Sequence, residues 1–288
     1  MKYYVLYNPL AGDGKAEEKI TKLSDFFDAE LVNMDVTKIS DYKDFFAGVS
    51  AEDAIILCGG DGTINRFVND TAEVKIPCDV LYYAIGTGND FLRDVEKVGV
   101  KEPFSIKKYL QNLPVVTVKG KDYYFLNNVG FGIDGYCCEV GDEMKKASPK
   151  PVNYTSIAIK GLLFHYKPTN ATLVVDGKEY KYNKVWLAPT MKGRFYGGGM
   201  MPTPEQDRMS EDGKLSVMFY YGKGKIRSLI AFPSMFKGEH LKYKNMIKIH
   251  SGHDITVKFD RPAPLQIDGE TIVGVTEYHA VAKTKVKA

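Results

Sequence analysis

Apolar residues follow two different periods along this chain, and the change between them divides it. Residues 3–7 and 31–36 read as short strands, and 54–58 and 80–85 are apolar runs suited to strands buried in a parallel sheet. Ala16, Ile20, Leu23 and Phe27 keep helical spacing, as do Ile64, Phe67, Val68 and Thr71. Phe91, Leu92 and Val95 begin another helix, and 41–49 and 101–110 read as further ones. Strand and helix in alternation predict a doubly wound α/β domain with its loops on one edge. From Val115 the period becomes two. A hairpin over 115–128 is followed by short strands at 171–175, 178–182, 185–188, 215–221, 246–250 and 255–259, broken by helical stretches at 154–164 and 226–237. This second half predicts a C-terminal β-sandwich. The reading gives an α/β domain over 1–125 and a β-rich domain over 126–275.

Three of these strands lead through a glycine-containing loop into a helix. Residues 54–58 stop at Gly59-Gly60-Asp61-Gly62-Thr63-Ile64-Asn65-Arg66, 3–7 at Asn8-Pro9-Leu10-Ala11-Gly12, and 80–85 at Gly86-Thr87-Gly88-Asn89-Asp90-Phe91. Glycines there allow φ > 0 or close approach of a ligand to bare backbone. The N–H groups opening the next helix, at the positive end of its dipole, favour phosphate. Asp61 sits in the middle of such a loop. It caps the helix, or it holds magnesium or takes a proton from an attacking hydroxyl. The motif favours the functional role. Neither the dinucleotide fingerprint nor the Walker A loop fits the spacing.

Gly59–Thr63 with Asn65 resembles the nucleotide loop of the diacylglycerol kinase and sphingosine kinase family, distant relatives of NAD kinases and phosphofructokinases. Asn8–Gly12 matches that family's Asn-Pro-x-Ser-Gly loop with Ala11 in place of Ser, and Gly86–Phe91 its Gly-Thr-x-Asn-Asp-Phe. The resemblance implies nucleotide contacts at Asn8, Pro9, Leu10, Ala11, Gly12, Thr37, Gly60, Asp61, Gly62, Thr63, Ile64, Asn65, Arg66, Thr87, Asn89 and Asp90. It extends to Asn127–Asp134, to the glycine-rich Gly193–Gly199 segment and to Asp212-Gly213-Lys214-Leu215. There it implies a magnesium held by the Asp212 carboxylate and the main-chain carbonyls of Met209 and Lys214. A plain Asp-Gly turn is the rival. It also implies that Asp268-Gly269-Glu270 supplies the general base, with Asp268, Glu270 and Asp61 as catalytic acids of an interdomain cleft. The last strand, about 276–288, is expected to return to the first domain. Arg66 where relatives carry Glu, Ala11, and Thr190 where they carry Asn are departures. His250 and His253 have a metal-like spacing but are read as flanking a turn.

At 288 residues with 44% hydrophobic and 26% charged content, the chain suits two soluble cores. No apolar run reaches the ~20 residues that span a bilayer. The strand pattern starts at residue 3, so no leader is expected. Cys58, Cys78, Cys137 and Cys138 lack metal or disulfide spacing, which points to a reducing cytoplasm. Residues 1–120 carry 14 basic and 19 acidic side chains, net −5, leaving 25 and 17, net +8, for the rest. A basic second half suits an anionic membrane surface or anionic products. Scattered Lys and Arg with no recognition motif argue against nucleic acid.

The expectation is thus a cytoplasmic, peripherally membrane-associated lipid kinase that uses ATP and Mg2+. It moves the γ-phosphoryl group to a lipid alcohol, foremost diacylglycerol to give phosphatidic acid, as in phospholipid biosynthesis. A homodimer is compatible with this. The alternatives are a sphingoid-base or other lipid kinase, an NAD kinase, and a non-catalytic nucleotide- or lipid-binding relative.

Overall fold

Period-two side chains on β1 (Lys2–Tyr7) explain the first sheet. Val5 packs with Ala16, Ile20, Leu23, Ile56 and Ile85 on one face, while Tyr4 meets Phe45 edge-on at 5.6 Å on the other. A sheet covered on both faces needs apolar strands throughout. β3 (Ala54–Gly59) is accordingly buried along its whole length. With β2 (Glu30–Asp35), β4 (Asp79–Ala84) and β5 (Phe104–Ser105) the order is β2-β1-β3-β4-β5, parallel except for β5. The helices are α1 (Ala11–Gly14), α2 (Ala16–Ile20), α3 (Tyr42–Ala47), α4 (Asp61–Asp70) and α5 (Asp90–Asp94). Asp41 caps α3 by accepting from Lys43 N–H at 2.6 Å. The computed structural model describes every residue except 10, 87, 88, 148–151, 223 and 284–288, with positions 12, 13 and 155 described by backbone alone.

The chain forms two compact units, Met1–Gln111 and Asn112–Ala288. The second holds β6 (Val115–Val118), β7 (Lys121–Tyr124), β8 (Asn128–Gly132), β9 (Thr169–Val175), β10 (Lys178–Met191), β11 (Leu215–Tyr221), β12 (Ile247–Gly252), β13 (Asp254–Ile267) and β14 (Glu270–Val281). They run in the order β12-β11-β10-β8-β13-β14-β6-β7, with β9 also joining β10 to β13. β10 and β13 each span 14 residues, and irregular register lets their halves pair first with β9 and then with β8. A core of Phe131, Val185, Phe219, Val257 and Tyr278 fills the interior. A second core around Trp186, Met218 and Tyr220 lies beneath α6 (Ile133–Ala147), α7 (Tyr154–Lys160) and α8 (Lys225–Ala231).

Several expectations change. The helix over 101–110 is instead the short strand β5 and a 3₁₀ turn, Lys107–Tyr109. Pro103 favours an extended residue before it, and Ser105 Oγ and Ile106 N–H then bond to Asp79 and Val80 O of the neighbouring strand. The hairpin over 115–124 belongs to the second unit, so the division falls at 111/112 rather than 125. β14 does not return to the first sheet, because its His279–Val281 pair with Val115–Thr117. Helix α6 lies in a stretch for which the sequence predicted no element. It buries Ile133, Asp134, Gly135, Cys137 and Gly141, a set with a single large apolar side chain that does not register as an apolar stripe. The hairpin turn at Asp176-Gly177 is as expected, with φ of 48° and 81°.

Glycine has different work at different places. A Cβ on Gly86 would lie 2.9 Å from Gly60 N and Cα, whereas one on Gly62 meets nothing within 4 Å. Gly86→Ala is therefore expected to cost about 1–3 kcal/mol, and Gly62→Ala, inside α4, to add roughly 0.5–1 kcal/mol. Urea unfolding of both variants checks this. Equal losses would refute the close packing of the two loops.

Candidate active site

Strand order β2-β1-β3-β4 places a topological switch between β1 and β3, where connections leave towards opposite faces of the sheet. The loops following β1, β3 and β4 emerge on the same edge, because these strands are parallel. This edge is where open α/β sheets bind ligands.

Close backbone packing builds it. Gly59 O accepts from Ile85 N–H and Gly86 N–H, both at 3.1 Å, and from Tyr82 OH at 2.9 Å. A Cβ on Gly59 would fall 2.0 Å from Thr63 Oγ1, so the Thr63 side chain needs that space. Of the two roles open to these glycines, the left-handed backbone is not used: Gly59, Gly60 and Gly62 are absent from the positive-φ residues, and Gly60 is extended at −115°, −168°. Gly59 and Gly86 serve close approach instead. Thr63 N–H and Ile64 N–H turn in to Gly60 O, Ile64 and Asn65 are buried, and Gly62 is exposed.

Asp61 is a cap, though of a different helix from its own. Its buried carboxylate accepts from Asp90 N–H at 2.8 Å and from Phe91 N–H at 3.3–3.4 Å, at the start of α5. It thereby clasps the second and third loops together. Asp90 is buried beside it, and Asn89 Oδ1 is buried with no hydrogen-bond partner among the described residues. Ala11 N–H donates to Asn8 O at 2.9 Å as the first loop, which includes Pro9, turns into α1; Gly12 lies in α1. Thr37 N–H and Oγ1 both bond to Asp35, in a turn after β2. Arg66 points to solvent and pairs with Asp70 at 3.4 Å, one turn along α4. Leu10 and Thr87 lie outside the described residues.

In the second unit the Asp268-Gly269-Glu270 turn joins β13 to β14, with φ of 47° and 93° at Asp268 and Gly269. The Asp268 carboxylate accepts from the N–H groups of Leu126, Asn127 at 2.7 Å and Asn128 at 2.9 Å. It is held by the backbone, while Glu270 is exposed. Gln266 Oε1 accepts from Gly269 N–H at 2.9 Å, and Gln266 Nε2 donates to Asp134 at 3.3 Å. Asn127 O accepts from Lys192 N–H and Gly193 N–H, which start the glycine-rich segment; Gly197, Gly198 and Gly199 there have φ of 61°, 84° and 106°. Buried Arg208 donates to Leu126 O at 3.1 Å and Asn127 Oδ1 at 2.7 Å. Nothing in its sequence neighbourhood marks Arg208, since burial of a single arginine leaves no periodic signal. Thr190 is a core residue, its Oγ1 2.8 Å from Tyr278 OH. His250 meets Tyr182 OH and His253 Nε2 meets Asp212 O, so the two histidines do not act as a metal pair.

The Asp212 turn offers hard-oxygen donors of the kind magnesium takes. Its exposed carboxylate lies 3.1 Å from Lys214 Nζ and accepts from Lys214 N–H at 3.2 Å, and both contacts lower its pKa. Gly213 turns the chain at φ 67°, and Lys214 O accepts from Gln206 Nε2 at 3.0 Å. The donors fit a cation in kind, and the Lys214 ammonium holds that place now. Met209 N–H donates to Asp207 at 2.8 Å. Among the described residues, no three His, Cys, Asp or Glu side chains cluster as a metal site.

The fold is that of a two-domain protein, an α/β unit with a parallel sheet followed by a β-sandwich. The family described as the diacylglycerol kinase catalytic domain matches residues 2–116, and that described as the YegS C-terminal NAD kinase beta sandwich-like domain matches 127–285. The chain belongs to the family of lipid kinases that these two domains make up. A Bacillus subtilis (strain 168) protein named "Putative lipid kinase YtlR" is 24% identical over 273 residues, covering 87% of this chain and 81% of that one. A diacylglycerol kinase of Mycobacterium tuberculosis is 26% identical over 258 residues, covering 84% and 80%. A Bacillus anthracis str. Sterne structure, titled "Crystal structure of a putative diacylglycerol kinase", shares the fold at TM-score 0.70 and 21% identity, over 98% of this chain and 92% of that one.

Burial pushes the Asp134 carboxyl up to about 6, against the bonds from Gly135 N–H and Gln266 that favour the charge. The folded state therefore holds this proton more tightly than the unfolded chain. Its contribution to stability is full below about pH 4 and falls by about 3 kcal/mol as pH rises to about 6. Urea unfolding across pH 4–7 should show a step in wild type that Asp134→Asn flattens. An identical pH profile in the variant would refute it.

Proposed function

We propose that this lipid kinase transfers the γ-phosphoryl group of ATP to the free hydroxyl of diacylglycerol, giving phosphatidic acid. The observation that carries it is the set of glycine-lined loops after β1, β3 and β4 at the switch point of the first sheet. The N–H groups at the very start of α4 offset phosphate charge, and the backbone at Gly60 and Gly62 gives the phosphates room. A magnesium ion bound with the nucleotide would supply neutralisation of charge on the transferred group.

Asp61 positions both loops through its clasp on α5. In the second unit the exposed Glu270 receives the hydroxyl proton, and Asp268, bonded to three N–H groups, holds the turn that presents it. The departures from the family pattern are compatible with activity. Arg66 is turned to Asp70 and Thr190 to Tyr278, and neither contact alters the glycine backbone. A cytoplasmic enzyme at the membrane surface fits this chemistry, and no described helix is long and apolar enough to cross a bilayer.

The test is incubation of the pure protein with γ-labelled ATP, magnesium, and diacylglycerol, sphingosine, other lipid alcohols or NAD, followed by identification of the labelled product. Labelled phosphatidic acid is expected; label in NAD or sphingosine alone would overturn the assignment. Glu270→Gln should then lower turnover by about 10²–10⁴ with unchanged stability, and Asp268→Asn should lower both. Gly62→Ala, expected to stabilise the fold, should weaken ATP binding.

We further propose that Asp212 with the carbonyls of Met209 and Lys214 holds a magnesium that orders this turn once Lys214 Nζ moves aside. Magnesium should then raise the melting temperature of wild type and leave that of Asp212→Ala unchanged. An equal shift in both would reduce Asp212-Gly213 to an ordinary turn.

A further inference from the structure

Helix α8 has two unlike faces. Ser228, Ala231 and the following Phe232 are buried, and Tyr220 OH donates to Ser228 O at 2.7 Å. On the other side Ile226 and Ile230, one turn apart, are 74% and 66% exposed, and the 3₁₀ turn after α8 adds Phe236 at 40%. The turn Gly161–His165 beside α8 adds Phe164 at 71%, and Lys225 Nζ fixes it by donating to Leu163 O at 2.8 Å. Isolated exposed apolar residues need no explanation; several large ones gathered on adjoining elements mark an interaction surface.

Charge identifies the partner. Over residues 224–245 five side chains are basic (Lys225, Arg227, Lys237, Lys242, Lys244) and one, Glu239, is acidic, a net of +4. Residues 152–168 carry no acid at all. Isoleucines bordered by cations on a short helix match the boundary between acyl chains and phosphate headgroups.

We propose that Ile226, Ile230, Phe236 and Phe164, with the flanking lysines and Arg227, form the surface on which the protein docks on an anionic phospholipid bilayer. Such docking serves the bilayer-borne substrate proposed above, yet vesicle binding requires neither nucleotide nor turnover, so each reading fails by a separate measurement.

The experiment is cosedimentation of the full chain with vesicles of phosphatidylcholine, alone or mixed with phosphatidylglycerol, at rising salt. Binding to the mixed vesicles is expected, falling with salt. Ile226→Ser/Ile230→Ser and Arg227→Glu/Lys237→Glu should each lower the bound fraction at least about tenfold. Their melting temperature and turnover of a soluble short-chain diacylglycerol should hold, and Val98→Ser, 65% exposed in the first unit, should bind as wild type does. Equal binding by all variants would overturn docking, as would absence of wild-type binding. Dimers broken by the isoleucine variants, without vesicle binding, would make the face a contact between copies and overturn it too. If the binding pattern holds while diacylglycerol is not phosphorylated, docking stands and the substrate assignment falls.

Discussion

The first unit depends on one buried carboxylate. Asp61 accepts N–H bonds from Asp90 and Phe91 and so ties the loop after β3 to the loop after β4. Beside that tie, the backbone contacts of Gly59 with Ile85 and Gly86 and the close packing of Gly86 on Gly60 set the separation of the two loops. A negative charge at a helix N-terminus is favoured by the local dipole, and burial strengthens the contact. The residue read from sequence as a catalytic acid is, in structure, also the clasp between two glycine-containing loops.

The second unit solves a related problem with a larger polar network. Asp268 gathers three backbone N–H groups, Arg208 two oxygens, and Asn127 O the start of the glycine segment. Buried polar groups are tolerable only when their partners are in place. The network therefore fixes loops 126–128, 192–199 and 208, together with the turn that carries Glu270. Asp134 and Gln266 extend it to Gly269 N–H. The charged residue left outside these bonds at the turn is Glu270, which is exposed.

Much of this was legible because glycine and strand periodicity are local signals. β3 with its following loop, the Asp176-Gly177 hairpin and the glycine triplet at 197–199 each carry their reason within a few residues. Helix α6 was not legible: of its buried residues Ile133, Asp134, Gly135, Cys137 and Gly141, only Ile133 is a large apolar side chain, so no stripe forms. Arg208 and the partner of Asp61 were equally hidden, since both depend on segments 29 or more positions away. The helix expected at 101–110 failed because strand pairing with β4 outweighed propensity.

Hydrogen exchange of backbone amides with and without ATP tests the cradle most directly. ATP should protect the amides of 60–62, while those of Asp90 and Phe91 should be protected already and lose that protection in Asp61→Ala. Unchanged exchange at 60–62 on ATP binding, with protection appearing elsewhere, would contradict the account.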